Sequence, residues 1–276
     1  MPIRRIGVFD SGFGGLHTLR ALRDSLPEYD YLYLADSARA PYGPRPAEEI
    51  RAFSAEALEY LFHNGCELVI FACNTASSDA LRFLQQNYLP RAFPKCRVLG
   101  VLIPLSELAA QSTLTKRIGV LATEGTVRSD AFVRELGKLD AQIQVFQEAA
   151  PGLVPLIESG GHASPEMRSL LELHLRPLID ASIDTLILGC THYGFAIEAI
   201  RAIVGPDVSI VSDADAVPSS LHSYLARHTD LNAMLSRDGT LECYTTGDPL
   251  RFDEIGSGFF GSPLQASRVG IGLNPV

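Results

Sequence analysis

The sequence predicts an α/β protein built on mainly parallel sheets. Short apolar runs rich in β-branched residues alternate along the chain with segments whose apolar residues recur at helical spacing. This alternation is typical of parallel sheets, because each strand returns to the same sheet through a crossover helix. Similar segments also recur in the second half of the chain, which indicates an internal duplication.

The first half supplies a regular succession of candidate strands and helices. Apolar runs of strand length predict strands, and the amphipathic segments between them predict the crossover helices. The predicted strands are 6–9, 31–34, 68–71 and 98–101, and the predicted helices are 15–23, 48–62 and about 75–87.

Two pairs of matching segments carry the evidence for duplication. The run Arg-Ile-Gly-Val-Leu at 117–121 resembles Arg-Ile-Gly-Val-Phe at 5–9. The run ending in Cys190-Thr191 resembles the run ending in Cys73-Asn74, and both pairs are separated by nearly the same length of chain. Each half would therefore carry a first strand that ends in a polar turn and a later strand that ends in a cysteine.

Composition restricts the class of protein. The net charge of −9 argues against a nucleic-acid partner or an anionic membrane surface, and no apolar stretch approaches the length of a membrane span. The N-terminus has no apolar signal-peptide core, and the five cysteines contain no CxxC pair. These observations predict free thiols in a reducing cytoplasm.

Four polar turns should lie together at the carboxyl ends of the strands, where parallel sheets bind ligands. Cys73 and Cys190 each lie between a strand and a helix N-terminus, a position expected to lower a thiol pKa. The N–H groups at those helix ends could hold a substrate carboxylate. The four turns are Asp10-Ser11-Gly12, Cys73-Asn74-Thr75, Thr123-Glu124-Gly125-Thr126 and Cys190-Thr191-His192.

The symmetry of the halves suggests a reaction. If the halves face each other, one thiol approaches the substrate from each side, as racemisation at an α-carbon requires. Asp10 could tune Cys73, and His192 could tune Cys190. The anionic intermediate needs hydrogen-bond donors, and the candidates are Asn74, Thr75, Thr126 and Thr191.

Other kinds of site are less consistent with the sequence. A dinucleotide fingerprint would need glycine where His17 stands, no lysine lies at a polar strand end to hold pyridoxal phosphate, and no zinc spacing is present. No metal or cofactor is therefore expected. A Cys190–His192 hydrolase stays open, although residues two apart on a strand do not readily face each other. The remaining cysteines, Cys66, Cys96 and Cys243, are expected to be structural.

The motifs resemble those of glutamate racemases over nearly the whole chain. They are Asp10-Ser11-Gly12-Phe13-Gly14-Gly15, Ala35-Asp36 through Pro41-Tyr42-Gly43, Ala72-Cys73-Asn74-Thr75-Ala76, Gly189-Cys190-Thr191-His192-Tyr193 and Tyr244-Thr245-Thr246-Gly247-Asp248-Pro249. The resemblance implies two pseudo-symmetric flavodoxin-like domains, 1–98 plus 207–276 and 99–206, with the active site between them.

The resemblance also implies roles for individual residues. Cys73 and Cys190 would be the acid–base pair, assisted by Asp10 and His192, with Glu158 beside His192. The implied contacts to the substrate, L- or D-glutamate, are Ser11, Pro41, Tyr42, Gly43, Asn74, Thr75, Thr123, Thr126 and Thr191. The product would supply D-glutamate for peptidoglycan in the cytoplasm, and the protein would be a homodimer.

Several positions depart from the family pattern. His17 replaces a small hydroxyl residue, Leu105 follows Pro104 where glycine is usual, Ala150 replaces a cysteine, and Gly194-Phe195-Ala196 replaces Pro-Leu-Leu. Racemisation of aspartate or another amino acid therefore remains an alternative. A non-catalytic role, such as inhibition of DNA gyrase, is the alternative from a different class.

Overall fold

The computed structural model describes residues 4–272. Within this range the strands are β1 (Arg5–Asp10), β2 (Tyr31–Ala35), β3 (Cys66–Phe71), β4 (Arg97–Gly100), β5 (Arg117–Ala122), β6 (Gln144–Ala149), β7 (Thr185–Gly189), β8 (Ser209–Val211), β9 (Leu241–Thr245) and β10 (Ala266–Arg268). The α-helices are α1 (Gly15–Ser25), α2 (Ala47–His63), α3 (Asn74–Ala76), α4 (Leu89–Ala92), α5 (Leu102–Ser112), α6 (Glu124–Arg128), α7 (Ala131–Leu139), α8 (Leu153–Glu158), α9 (Pro165–Asp180), α10 (Ile197–Val204), α11 (Asp213–Arg227), α12 (Thr229–Met234) and α13 (Pro249–Phe260). None of these helices is long and apolar enough to cross a membrane.

The strands form two parallel sheets, which confirms the predicted fold class. The larger sheet has the order β10-β9-β2-β1-β3-β4, and the smaller has the order β6-β5-β7-β8. The order β2-β1-β3-β4 is repeated by β6-β5-β7-β8, so β1 corresponds to β5 and β3 to β7. This shared 2-1-3-4 order is that of flavodoxin-like sheets, and it agrees with the internal duplication.

Both central strand pairs are buried. Ile6 pairs with Leu68 between β1 and β3, and Ile118 pairs with Thr185 between β5 and β7. Apolar side chains on one face of the larger sheet pack against α1 and α13, α11 packs on α1, and all belong to a core that continues into the smaller sheet. Those on the other face pack against α2 and the helical segment after β3. The continuous core joins the two halves below the carboxyl ends of their strands.

One detail differs from the sequence-based expectations: the predicted helix at 75–87 contains two π-helical segments, Ser77–Leu81 and Leu84–Tyr88. The division into two domains stays a prediction. Its boundary at 206/207 lies between β7 and β8, which pair through Thr185 and Ser209, and its boundary at 98/99 lies within β4. The ends of the first predicted domain, 1–3 and 273–276, lie outside the described residues.

Candidate active site

The predicted catalytic residues converge where the carboxyl ends of the two sheets meet. Asp10 ends β1 and Cys73 follows β3, while Thr123 follows β5 and Cys190 follows β7. In both sheets these strands flank the point at which the strand order reverses, which is where open parallel sheets leave a binding crevice. Each half thus contributes one cysteine and one hydrogen-bonding turn to the same region.

Cys73 is held by the turn that connects β3 to α3. Its thiol is 5% exposed and caps α3, accepting a hydrogen bond from the Ala76 N–H at 3.4 Å. The Ser11 hydroxyl lies 3.5 Å from the same sulfur. Because β3 ends at Phe71, Cys73 lies beyond the sheet, and it is close enough to Cys190 to raise the pKa of that thiol.

Cys190 lies at the head of a hydrogen-bonded series. Its sulfur is 3.8 Å from His192 Nδ1, and His192 Nε2 is 2.9 Å from Glu158 Oε1. The contact between Cys190 and His192 was not expected from residues two apart on a strand. It forms because β7 ends at Gly189, so both residues belong to a turn rather than to the alternating strand. The sequence-based argument against a Cys–His pair is therefore wrong at this position.

Burial sets the pKa values of the two thiols. It raises the pKa of Cys73 to about 12, with a further rise from Asp10, although hydrogen bonds from Ser11 and Ala76 lower it. Burial also raises the pKa of Cys190 well above its ordinary value, and the neighbouring Cys73, Asp10 and Asp213 add to the rise. The expectation that the helix N-termini would lower these pKa values is wrong, because desolvation outweighs the hydrogen bonds that the sulfurs accept.

Three of the contacts between the two halves lie in the turns that carry the cysteines or beside them. Thr191 Oγ1 donates to Asp10 Oδ1 at 3.4 Å, and the hydroxyls of Thr75 and Thr123 are 2.9 Å apart. A Cβ atom at Gly14 would lie 2.2 Å from Thr191 Oγ1, so a side chain is excluded there. These contacts hold the turn of Cys73 opposite the turn of Cys190.

The other predicted donors lie along the seam between the halves, by which we mean the region between the Asp10 and Cys73 turns on one side and the Thr123 and Cys190 turns on the other. Thr123 caps α6 by accepting from the Thr126 N–H at 3.3 Å, and Thr126 is fully buried. Asp10 is also fully buried, and burial raises the pKa of its carboxyl despite the nearby His192 and the hydrogen bond from the Gly12 N–H. The hydroxyls of Thr123 and Thr126 can donate to an anion placed between the halves, whereas Asp10 accepts.

The 41–43 loop meets the seam mainly through its backbone. Tyr42 is buried among Phe9 and Phe53, and its hydroxyl donates to Asp36 Oδ2 at 2.5 Å. The Tyr42 hydroxyl therefore bonds to Asp36 rather than to a group in the seam. Gly43 packs directly against Thr123. Asp36, which sequence reasoning did not assign to the site, anchors this loop.

A cavity of about 380 Å³ opens beside this loop. Pro41 lines one side of it and Glu158 the other, with the exposed Arg251 at its edge. Glu158 is 23% exposed, so it connects the buried His192 to the cavity. The cavity therefore borders the Glu158 end of the hydrogen-bonded series that leads through His192 to Cys190.

Two of the departures from the family pattern contact each other. The ring of His17 meets the ring of Phe195 at 5.2 Å, and a Cβ at Gly194 would lie 2.9 Å from His17. Phe195 also packs on Phe259, which meets the edge of His192. The larger side chain at 17 is thus accommodated by the absence of one at 194, behind His192 rather than in the seam.

Sequence reasoning missed Asp213, the first residue of α11. Its carboxyl is 3% exposed and accepts from Thr18 Oγ1 at 3.3 Å. Burial raises its pKa to about 7, although the nearby Asn74 amide and the Thr18 hydroxyl oppose the rise. The sequence offered the signal of two acidic residues, Asp213 and Asp215, at a helix start, but that pattern usually marks an exposed first turn.

Comparisons with known proteins agree with this geometry. The family model described as Asp/Glu/hydantoin racemase matches residues 17–217. A glutamate racemase of Exiguobacterium sibiricum is 37% identical over 269 residues, which cover 98% of this chain and 97% of that protein.

Solved structures give the same result. A glutamate racemase isoform of Bacillus anthracis has a TM-score of 0.89 and 31% identity, with 98% of each chain covered. A glutamate racemase of Francisella tularensis, solved in complex with D-glutamate, has a TM-score of 0.87 and 30% identity, again with 98% of each chain covered. Both likenesses extend over both sheets of the present fold.

Proposed function

This chain belongs to the Asp/Glu/hydantoin racemase family and is an amino-acid racemase, and from this premise we propose that it interconverts L- and D-glutamate. Cys73 and Cys190 are the acid–base pair in this proposal. The observation that carries it is the convergence of two buried thiols from equivalent positions of the repeated halves. A proton removed on one face of an α-carbon can then be replaced on the other.

The reaction moves one proton in and one out. The thiolate of one cysteine removes the α-proton and becomes a thiol, while the electron pair of the broken C–H bond stays on the α-carbon and spreads into the carboxylate. The thiol of the second cysteine then gives its proton to the opposite face and becomes a thiolate. The substrate is inverted, and the two cysteines have exchanged protonation states.

The high thiol pKa values make ionisation dependent on the substrate. A cysteine whose pKa is raised to about 12 is almost wholly a thiol near neutral pH. The α-ammonium group of an amino acid, once placed between the sulfurs, supplies a positive charge that stabilises a thiolate. The base therefore forms where the substrate lies, and a buried thiolate without a partner is avoided.

The seam supplies donors for the negative charge that develops on the carboxylate. Such donors stabilise a negative charge most strongly in a buried site, where water does not compete for them. The proposed donors are the Asn74 amide, the hydroxyls of Ser11, Thr75, Thr123, Thr126 and Thr191, and the N–H groups of these turns, with the backbone of Pro41, Tyr42 and Gly43 closing one side.

The proton must return to its original cysteine before the next turnover in the same direction. His192 touches Cys190 and is paired with Glu158, which reaches the cavity, so these residues form a path for a proton between sulfur and solvent. On the other side Asp10 interacts with Cys73 and acts in the same way. We assign His192, Glu158 and Asp10 as the groups that restore the cysteines.

Exchange of the α-proton in deuterium oxide tests this mechanism. Wild type should introduce deuterium into both enantiomers and racemise them without an added cofactor. Cys73→Ala and Cys190→Ala should each lose racemisation by several powers of ten, because one face then has no acid or base. Each variant should still exchange one enantiomer, and the two variants should exchange opposite ones.

Cys66→Ala is the matched control, since Cys66 is a buried cysteine at the other end of β3. It should keep normal racemisation. Near-normal turnover in either Cys73→Ala or Cys190→Ala would refute the two-cysteine mechanism. Racemisation of single enantiomers of glutamate, aspartate and other amino acids, followed by circular dichroism, compares these substrates. A preference for aspartate would refute the substrate assignment.

We propose further that the D-glutamate serves peptidoglycan synthesis in the cytoplasm and that the protein acts as a homodimer. Expression of the chain should relieve the D-glutamate requirement of a bacterial strain that lacks its own racemase, and the Cys73→Ala variant should not. Sedimentation equilibrium should give twice the chain mass. Growth that still requires D-glutamate, or a monomer at all concentrations, would contradict these assignments.

A further inference from the structure

A buried carboxyl group that the mechanism above does not use lies behind the Cys73 turn. Asp213 begins α11, and its side chain is 3% exposed. One oxygen accepts from Thr18, while Oδ1 has no hydrogen-bond partner among the described residues. A buried polar atom without a partner is costly, so its retention calls for an explanation.

The side chain of Asn74 faces this carboxyl. Asn74 is 2% exposed, and its amide lies close enough to Asp213 to oppose the rise in the pKa of that carboxyl. Neither Oδ1 nor Nδ2 of Asn74 reaches normal hydrogen-bond geometry with any described residue. The Asn74 amide and Oδ1 of Asp213 therefore form an incomplete network next to Cys73, and both side chains are more than nine-tenths buried.

The proton on the carboxyl decides which way the amide can turn. A protonated Asp213 can donate to Asn74 Oδ1, which leaves the NH₂ group free to point into the seam. An ionised Asp213 can only accept, so it would draw the NH₂ group toward itself and turn the amide oxygen to the seam. The first arrangement presents a donor to a carboxylate, and the second presents an acceptor that repels it.

We propose that Asp213 is a positioning residue whose proton orients the Asn74 amide so that its NH₂ group binds the α-carboxylate of the substrate. This inference rests on the proposed function, since it assigns the substrate group that Asn74 contacts. Asp213 itself touches neither the substrate nor the reacting carbon. Its effect should therefore fall on substrate binding more than on the chemical step.

The charges around Asp213 favour its protonated form. Asp10, at the end of β1, raises its pKa, and Cys190 lies close enough that an ionised Asp213 raises the pKa of that thiol. The α1 helix presents the hydroxyl of Thr18, and its His17 interacts with Asp215 instead. Asp215 on α11 itself is bound to Ser212.

The charged residues on the other elements next to α11 lie away from Asp213. Glu107 of α5 lies beside later residues of α11, and Asp230 belongs to α12, which follows the far end of the helix. Among the described residues packed around Asp213, none brings a cation against it. Burial raises its pKa to about 7, so the proton should be lost across the neutral range.

The pH dependence of KM for L-glutamate tests the inference. A group with a pKa near 7 is roughly one-tenth protonated at about pH 8, so wild-type KM should rise about tenfold between about pH 6 and about pH 8. Asp213→Asn retains an uncharged donor and should lose most of this rise, while kcat keeps the wild-type profile. The dissociation constant of glutamate in a Cys73→Ala/Cys190→Ala background should change in parallel.

Asp215→Asn is the control, because it removes a carboxylate from the same helix turn without facing Asn74. Its KM for L-glutamate should rise with pH as steeply as that of wild type, and we call this rise the slope. An unchanged slope in Asp213→Asn, or its loss in Asp215→Asn as well, would overturn the inference. If Asp213→Asn fails to fold, Asn74→Ala provides the same test, since its KM should not vary with pH through this group; a retained rise would overturn the inference.

The dissociation constant separates this inference from the proposed function. A wild type that binds glutamate with the expected slope but does not racemise it refutes the two-cysteine mechanism and leaves the role of Asp213 intact. A wild type that racemises glutamate with no difference between its slope and that of Asp213→Asn refutes the role of Asp213 alone.

Discussion

Replacement of Gly14 by alanine would test how closely the two halves of the site must fit. Gly14 has φ −58° and ψ −38°, a conformation that alanine adopts freely, so backbone strain does not enter. The added Cβ would lie 2.2 Å from Thr191 Oγ1 and 2.6 Å from His192 Nδ1. Both atoms belong to the turn that carries Cys190.

The size of the effect follows from these distances. A carbon and an oxygen in ordinary contact are about 3.4 Å apart, so the Cys190 turn must move by about 1 Å. A displacement of that size at a catalytic group costs roughly 100-fold in rate. Overpacking at a buried contact costs about 1–3 kcal/mol, which corresponds to a melting temperature lower by about 3–10 °C in a protein of this size.

The assay is racemisation followed by circular dichroism in both directions, together with a thermal melt. Gly14→Ala should remain folded and lose about 100-fold in kcat/KM. Gly12→Ala is the control from the same loop, because its Cβ would meet Glu158 Oε1 at an ordinary 3.8 Å, and it should retain most of the activity. Activity of Gly14→Ala within threefold of wild type would refute the reasoning that this contact sets the spacing of the halves.

Three further substitutions test separate parts of the site. Tyr42→Phe removes a donor to the buried Asp36 and should lower the free energy of unfolding by about 1–3 kcal/mol in urea; unchanged stability would mean that the loop is held by other contacts. Glu158→Gln keeps a hydrogen bond to His192 but removes its counter-charge, and kcat should fall roughly 10- to 100-fold at neutral pH, a result that a wild-type kcat would contradict. The melting temperature of wild type should fall relative to that of Asp213→Asn as pH rises from about 4 to about 7, because folded wild type holds a proton that the unfolded chain releases. A difference in melting temperature that does not change with pH would argue against the raised pKa of Asp213.

The strands and the position of the cysteines were predictable because they depend on local pattern. The run from Leu68 to Phe71 is apolar without interruption and ends abruptly at polar residues, so the sequence alone placed Cys73 at a strand end. The same argument placed Cys190. In a parallel sheet every strand end of this kind faces the same edge, so the two turns of each half were predictable as neighbours, whereas the meeting of the two pairs depends on how the sheets face each other.

What the sequence could not supply depends on contacts between distant segments. The pKa values of the thiols follow from burial by both halves, whereas the sequence shows only the helix that follows each cysteine. Asp213 reads as an ordinary residue of a helix first turn, and its burial arises from packing against α1 and the Cys73 turn. The contact between Cys190 and His192 depends on where β7 ends, which periodicity does not fix to one residue.

The repeated halves are alike in topology but give the two sulfurs unlike neighbours: a serine hydroxyl on one side, an imidazole backed by a carboxylate on the other. Mirror-image molecules have equal free energies in water, so kcat/KM must be equal in the two directions whatever these neighbours are. The two directions can therefore differ only in kcat and KM taken separately. The enantiomer with the larger kcat must have a KM that is larger by the same factor. An alteration confined to one side therefore leaves the equilibrium mixture even, and it changes kcat/KM by the same factor in both directions.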